Sequence, residues 1–223
     1  MTIDAGTTVG TVAAEHPLST RVFERHGIDF CCGGGRPLGE ICADKGIALD
    51  RMLAEIEAEI SEAPQAVVRW DEEPLGALLD HILSGYHEPL KEELPRLEAM
   101  ARKVHRVHGE KDPERLQGNL DTYLAMKADL DPHLAKEEQI LFPMIRDGQG
   151  AMAAGPISVM EHEHEAVGGM LRRLRELTND YVVPEAACNT WRALWVGLAD
   201  LERALHEHIH LENNILHRRA LSA

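Results

Sequence analysis

His133 and Glu137 are four residues apart, and so are His208 and Glu212. Side chains four apart on an α-helix lie one turn above the other and point the same way. An imidazole and a carboxylate so placed can reach one cation, or two cations if the carboxylate bridges. The flanks repeat too: Glu137-Glu138-Gln139-Ile140-Leu141 aligns with Glu212-Asn213-Asn214-Ile215-Leu216. A single His-x3-Glu is common on a surface helix as a solvated pair. Two copies with matching flanks, 75 residues apart, describe two helices of a bundle facing a shared metal site.

The chain carries 13 histidines, and several others fall where a bundle needs ligands. Imidazole suits iron, zinc or copper, while bridging carboxylates with open positions suit redox iron. The preferred set is His87, His133, Glu137, His164, His208 and Glu212, a di-metal centre with two bridging carboxylates and terminal histidines. A rival can be drawn from Glu161-x-x-His164 and Glu207-x-x-His210, the Glu-x-x-His spacing of ferritin-like carboxylate sites. It needs a lone Glu from each remaining helix and leaves the duplicated His-x3-Glu unexplained. A structural zinc site is disfavoured, because such sites are closed tetrahedra rich in thiolate and no cysteine accompanies these histidines. His81, His105, His162, His206, His210 and His217 are expected to be solvated or to support the ligands, and His16 and His26 to lie at the surface. His162 and His164 cannot both face the core, since positions two apart on a helix point apart.

The elements that must hold these residues read as helices throughout. From Pro74 onward the pattern gives four long helices with short polar connections, about Pro74 to Val107, Pro113 to Arg146, Pro156 to Tyr181 and Pro184 to Arg218. That is the loop economy of an up-down bundle. Pro89, Pro95, Pro132 and Pro143 fall inside these spans, where a proline usually kinks a helix. Pro89 and Pro132, beside candidate ligands, are expected to aim those side chains. Ahead of the bundle, Thr7–Glu15, a helix opened by Pro17 and stopped at Gly27, Leu38–Lys45 and Asp50–Ile60 form a small helical domain. Within it Cys31-Cys32-Gly33-Gly34-Gly35 is a flexible turn that brings two thiols close to a neighbour. The division is residues 1–62 for this domain, 63–73 for a linker and 74–223 for the bundle. No strand or hairpin signal rivals the helical pattern.

Composition bounds the partners. With 38 acidic against 23 basic residues, a net charge of −15 argues against nucleic acid and an anionic membrane surface. No apolar run approaches ~20 residues and the start lacks a signal-peptide pattern, so the expectation is a soluble cytoplasmic protein. Four cysteines in a chain this long are no disulfide framework; they are thiols. Adjacent cysteines close a disulfide only through a strained ring, so Cys31 and Cys32 form a redox or nitric-oxide-reactive pair, a transient iron relay, or simply two small residues ahead of a glycine turn. Cys42 and Cys188 read as buried small hydrophobes on apolar helix faces.

The run His133-x3-Glu137-Glu138-x-x-Leu141-Phe142-Pro143 resembles the signature of the hemerythrin-like di-iron fold. Gly27-Ile28-Asp29-Phe30-Cys31-Cys32-Gly33-Gly34-Gly35 resembles the short domain that precedes it in the repair-of-iron-centres family of ScdA/YtfE type, and Gly155–Glu161 and Leu211–Asn214 are similar to that family as well. The resemblance spans nearly the whole chain. It implies a non-haem protein with two iron ions, oxo- and carboxylate-bridged, that restores iron–sulfur clusters damaged by nitric oxide or peroxide by donating iron. The partners it implies are damaged iron–sulfur proteins or a cluster scaffold, with nitric oxide or oxygen as small ligand; the sequence leaves the oligomeric state open between a monomer and a homodimer. It carries the ligands onto His87, His133, Glu137, His164, His208 and Glu212, with His108 as an additional ligand or a group touching one. Gly168 stands where oxygen-carrying hemerythrins have a second histidine, and Glu212 where they have aspartate, which fits iron release or reaction better than oxygen transport. A di-iron nitric oxide reductase and an oxygen- or nitric-oxide-sensing module are the alternatives.

Overall fold

A computed structural model describes residues 3–61 and 67–222. Its regular elements are helical; among the described residues the one β-type pairing is a bridge between Thr8 and Pro37. The linker expected over residues 63–73 lies partly outside the described residues. Helices α1 to α4 span Val9–Glu15, Ser19–Arg25, Leu38–Lys45 and Leu49–Ser61. Helix α5, Leu75–Ile82, runs into a π-helical segment π1, Leu83–His87, and on into α6, Glu88–His108. Helix α7, Pro113–Lys136, continues through π2, Glu137–Leu141, into α8, Phe142–Arg146. Helix α9 is Ala154–Thr178; α10, Asn189–His210, continues through π3, Leu211–Leu216, into α11, His217–Leu221.

The chain divides into two compact units, one of Met1–Leu79 with His206–Ala223, the other of Asp80–Leu205. In the first, α1 to α4 enclose a core that includes Val9, Val12, Phe23, Phe30, Leu38, Met52 and Ile56. Met52 and Ile56 are one turn apart on α4, so a single stripe buries both; each large apolar side chain removed from water contributes about 2 kcal/mol. An ion-pair seam joins α4 to α2: Glu59 meets Arg21 and Arg25, and Glu55 meets His26. His26 is therefore half-buried, not free at the surface. The first-turn amides of α1, which have no partner within the helix, donate to the glycine turn: Val9 N–H to Arg36 O at 3.0 Å and Gly10 N–H to Gly34 O at 2.7 Å. The π3 residue Asn214 fits against both glycines, where a Cβ on Gly10 or Gly34 would lie 2.2 or 2.7 Å from its Oδ1.

In the second unit α7 packs against both α6 and α9. Tyr123 on α7 is fully buried, and its hydroxyl donates to Leu94 O on α6 at 2.7 Å. Gly197 on α10 allows close approach to α6, since a Cβ there would lie 2.6 Å from a Leu97 methyl. Arg175 on α9 forks onto the buried carboxylate of Glu202 on α10, 3.1 and 2.8 Å. The four long helices are those expected, with three differences. Regular α-helix continues through Pro95 and Pro132. The changes of helix type come instead just before Pro89 and Pro143, at π1 and π2. The last long helix begins at Asn189, not Pro184, and Cys188 is its cap, its carbonyl accepting from Arg192 N–H. Standing ahead of the helical stripe, Cys188 is exposed, contrary to the expected buried position.

Candidate metal centre

Local sequence places the ligands before any packing is considered. His133 precedes Glu137 by one turn across the α7–π2 junction, and His208 precedes Glu212 across the α10–π3 junction. Each π segment carries a candidate ligand: His87 ends π1, Glu137 opens π2 and Glu212 is the second residue of π3. In all three the amide that closes the segment reaches five residues back, Glu88 to Leu83, Phe142 to Glu137 and His217 to Glu212. Single π turns of this kind recur at functional sites, because one inserted residue rotates the side chains beyond it. Pro89 and Pro143 each follow the closing amide directly, where the ladder has already shifted and a missing N–H disturbs least.

The second unit brings together His87, His133, Glu137 and His164, all buried. Glu137 presents its two oxygens to different sides. Its Oε2 lies 3.5 Å from His87 Nε2, and its Oε1 3.4 Å from His133 Nε2 and 4.0 Å from His164 Nε2. His133 and His164 converge through their Nε2 atoms at 3.0 Å. Neither Glu137 oxygen accepts a hydrogen bond, although the residue is fully buried. In the first unit His208 Nε2 and Glu212 Oε1, both buried, are 3.0 Å apart.

The outer nitrogens of two ligands decide what the inner ones offer. His87 Nδ1 lies 3.0 Å from Glu138 Oε1, and His133 Nδ1 2.9 Å from Glu163 Oε2. An ionised carboxylate only accepts, so Nδ1 carries a proton in each ring, and in the neutral imidazole that a metal requires Nε2 is the lone-pair nitrogen. A lone pair aimed at a buried carboxylate oxygen is repulsive unless a cation lies between them. An uncompensated buried carboxylate also costs several kcal/mol. The residues therefore fit a metal ion, with the carboxylate–histidine support usual for one.

Each supporting carboxylate is held in turn by a lysine: Glu138 by Lys91, at 2.6 Å, and Glu163 by Lys136. Burial pushes both carboxyls up, but Lys91 with His87, and Lys136 with His133, outweigh it and hold them below the usual carboxylate range. Glu138, Glu163, Lys91 and Lys136 are absent from the sequence-derived site. Lys91 stands four residues beyond His87 and Glu163 directly before His164, a faint signal, because the partners lie on other helices.

His108 stands apart from His87 by the length of α6, about 30 Å at 1.5 Å per residue. Its Nε2 lies 3.2 Å from Cys188 Sγ and its ring packs on Trp191. Of the rival carboxylate site, Glu161 is exposed, and His210 Nδ1 lies 3.3 Å from Phe30 O. Of the histidines expected to be solvated or to support the ligands, His210 and His217 are buried. Burial lowers the His210 pKa to about 4, against backbone contacts with Phe30 and Ala13 that raise it. His162 is exposed while His164 is buried, as positions two apart require.

Cys31 and Cys32 are thiols with Sγ atoms 3.9 Å apart, Cys31 buried and Cys32 half-buried. Cys31 Sγ also lies 3.3 Å from Asp29 Oδ1. Cys32 beside it and burial raise the Cys31 thiol well above its ordinary pKa. No helix among the described residues is long and apolar enough to cross a membrane.

Residues 78–220 match the family of the hemerythrin HHE cation binding domain, and residues 5–60 match ScdA_N, a domain of unknown function. The chain is 45% identical over 213 residues to the iron-sulfur cluster repair protein YtfE of Yersinia pseudotuberculosis serotype IB (strain PB1/+), covering 96% of both chains. The protein of the same name from Yersinia pestis (strain Pestoides F) shows the same identity and coverage.

Proposed function

The chain belongs to the hemerythrin HHE cation-binding family and to the iron–sulfur cluster repair proteins of YtfE type, and from that premise we propose that it holds two non-haem irons and donates iron to damaged iron–sulfur clusters. The ligands in this reading are His87, His133, Glu137, His164, His208 and Glu212, all inside the stretch that matches the hemerythrin family. Glu137, with one oxygen toward His87 and the other toward His133 and His164, is a bridging carboxylate, and Glu212 is the second. His108 takes no part, being one full helix length from His87. Two irons bridged by carboxylates supply reversible one-electron chemistry and, when loosely held, ferrous iron as cargo.

The surrounding residues keep the ligands ready. Glu138 and Glu163 hold a proton on the outer nitrogen of His87 and His133, so the inner lone pairs stay available. Lys91 is half exposed and Lys136 about a third exposed, so each support reaches the protein surface, where contact with an acceptor can loosen the ligand behind it. The recipient in this reading is an iron–sulfur protein or scaffold whose cluster has lost iron to nitrosative or oxidative damage. The observation that carries the reading is the fully buried Glu137 carboxylate without a hydrogen bond, facing imidazole nitrogens on both sides.

The test is metal analysis of protein purified without oxygen, followed by transfer to an apo iron–sulfur acceptor. The expected result is close to two irons per chain, lost to the acceptor, with Glu137→Leu or Glu212→Leu abolishing stoichiometric iron. Variants that keep two irons would refute the bridging assignment. A second reading, a di-iron nitric oxide reductase, draws on the paired thiols of Cys31 and Cys32 as a source of electrons. Sustained nitric oxide consumption with a reductant, without iron release, would favour it.

A further inference from the structure

The Cys31-Cys32 turn is bound to π3 by its own backbone. Asn214 Nδ2 donates to Phe30 O at 3.1 Å and to Cys31 O at 3.0 Å, while Arg218 donates to Asn214 Oδ1 at 3.1 Å and so fixes which way the amide faces. Asn214 is buried, and Gly10 and Gly34 are compatible with it only because they lack a Cβ. The carbonyl of Cys31 belongs to the peptide bond between the two cysteines, and that bond is trans. Asn214 therefore grips the one peptide unit that must move if the two sulfurs are to bond.

The geometry of that bond forces the conflict. A disulfide needs its sulfurs about 2.0 Å apart and its Cα atoms about 4.4–6.8 Å apart; these sulfurs are 3.9 Å apart and adjacent Cα atoms are held near 3.8 Å. Closing the eight-membered ring requires the intervening peptide to rotate, and rotation carries the Cys31 carbonyl away from Asn214. We propose that Cys31-Cys32 is a redox-governed latch: the dithiol keeps the turn fastened to Asn214, and the vicinal disulfide releases it. Asn214 is two residues from Glu212 in π3, so the thiol state is read out in the segment that carries this carboxylate.

The oxidant this chemistry takes is a low-molecular-weight disulfide. The half-buried Cys32 sulfur attacks it, forming a mixed disulfide and expelling one small thiol. The Cys31 sulfur then attacks the Cys32 sulfur and expels the second small thiol. The Cys31 proton passes by way of Asp29, 3.3 Å from its sulfur, to the departing thiolate. Two protein thiols are oxidised and one small disulfide is reduced to two thiols. The latch opposes the second step, because ring closure takes one acceptor from the buried Asn214 Nδ2 and leaves it Phe30 O and His210 Nδ1, at 3.1 and 3.2 Å.

The full-length protein would be equilibrated in 2-mercaptoethanol and its disulfide, with ring closure read by mass (loss of two hydrogens) and amide exchange followed by peptide. Oxidation should give an intramolecular disulfide and faster exchange in residues 28–36 and 211–218. Asn214→Asp, which keeps the shape and loses the donor, should show that faster exchange while reduced, and its disulfide should form with an equilibrium constant about fivefold higher. Cys31→Ser with Cys32→Ser should make exchange insensitive to the redox buffer. A mixed disulfide that never closes, or closure that leaves exchange unchanged in wild-type protein, would overturn the proposal. So would an unaltered equilibrium constant in the variant. Iron measured on the same samples is a separate readout: the latch stands or falls on thiols and exchange, whether or not the metal reading holds.

Discussion

Glu163→Leu isolates what a support contributes to a ligand it touches. The carboxylate makes two contacts, one to His133 Nδ1 at 2.9 Å and one to Lys136. Both members of the lysine pair are about a third exposed, so that contact is worth no more than about 1 kcal/mol. The bond to the imidazole is charge-assisted and partly shielded, worth about 1.5–3 kcal/mol, and it strengthens as a cation draws electron density from Nε2. Losing it frees the His133 ring and its tautomer. The expected result is a ten- to hundredfold weaker ferrous iron affinity, about 1.4–2.8 kcal/mol. Stability of the metal-free chain, which contains the same bond, should fall by about 2 kcal/mol. Anaerobic titration against a chelating dye of known affinity reads the first quantity, and urea unfolding of the apo protein reads the second. Glu163→Gln, which keeps an acceptor for the Nδ1 proton, should lose less affinity. Wild-type affinity in Glu163→Leu would refute the reasoning, and so would a stability loss of several kcal/mol, since the carboxylate would then serve the fold and not the ligand. Glu138→Leu should act on His87 in the same way.

Further outcomes follow from packing and charge. Gly34→Ala places a Cβ 2.7 Å from Asn214 Oδ1 and 2.8 Å from Phe30 O, and urea unfolding should show a loss of about 2 kcal/mol. Arg175→Ala strands the buried Glu202 carboxylate and should cost about 3 kcal/mol, whereas Glu202→Leu, which removes the charge itself, should cost much less; equal losses would contradict the account. The Glu59 carboxyl is held below its ordinary pKa by Arg25 and Arg21 against a smaller effect of burial. A depressed folded-state value stabilises above the unfolded carboxylate range and is lost as pH falls through it. Glu59→Gln should therefore lower thermal stability at neutral pH and flatten the acid limb of the profile below about pH 4.5, where variant and wild type converge.

Much of this protein is local, and the local part is legible in sequence. His133 with Glu137 and His208 with Glu212 are pairs within one helical turn, so their spacing alone places each pair on one face. The long helices follow from their apolar stripes, and His164 was separable from His162 by period. Tertiary structure decided the rest. Glu138 and Glu163 count only because His87 and His133 lie opposite them on other helices, which no single-helix period can reveal. Each π segment inserts one residue into its helix, and the proline that follows the closing amide in two of the three, Pro89 and Pro143, marks them too weakly to read in advance. His108 sits at the wrong end of α6 to join His87, although both are histidines on one long helix, and Cys188 falls one residue ahead of the stripe that would have buried it. The glycines after Cys32 read as flexibility in the sequence; in the fold Gly34, with Gly10, is the space into which Asn214 fits. Periodicity determines which residues share a helix face, and packing between elements determines which of those faces meet.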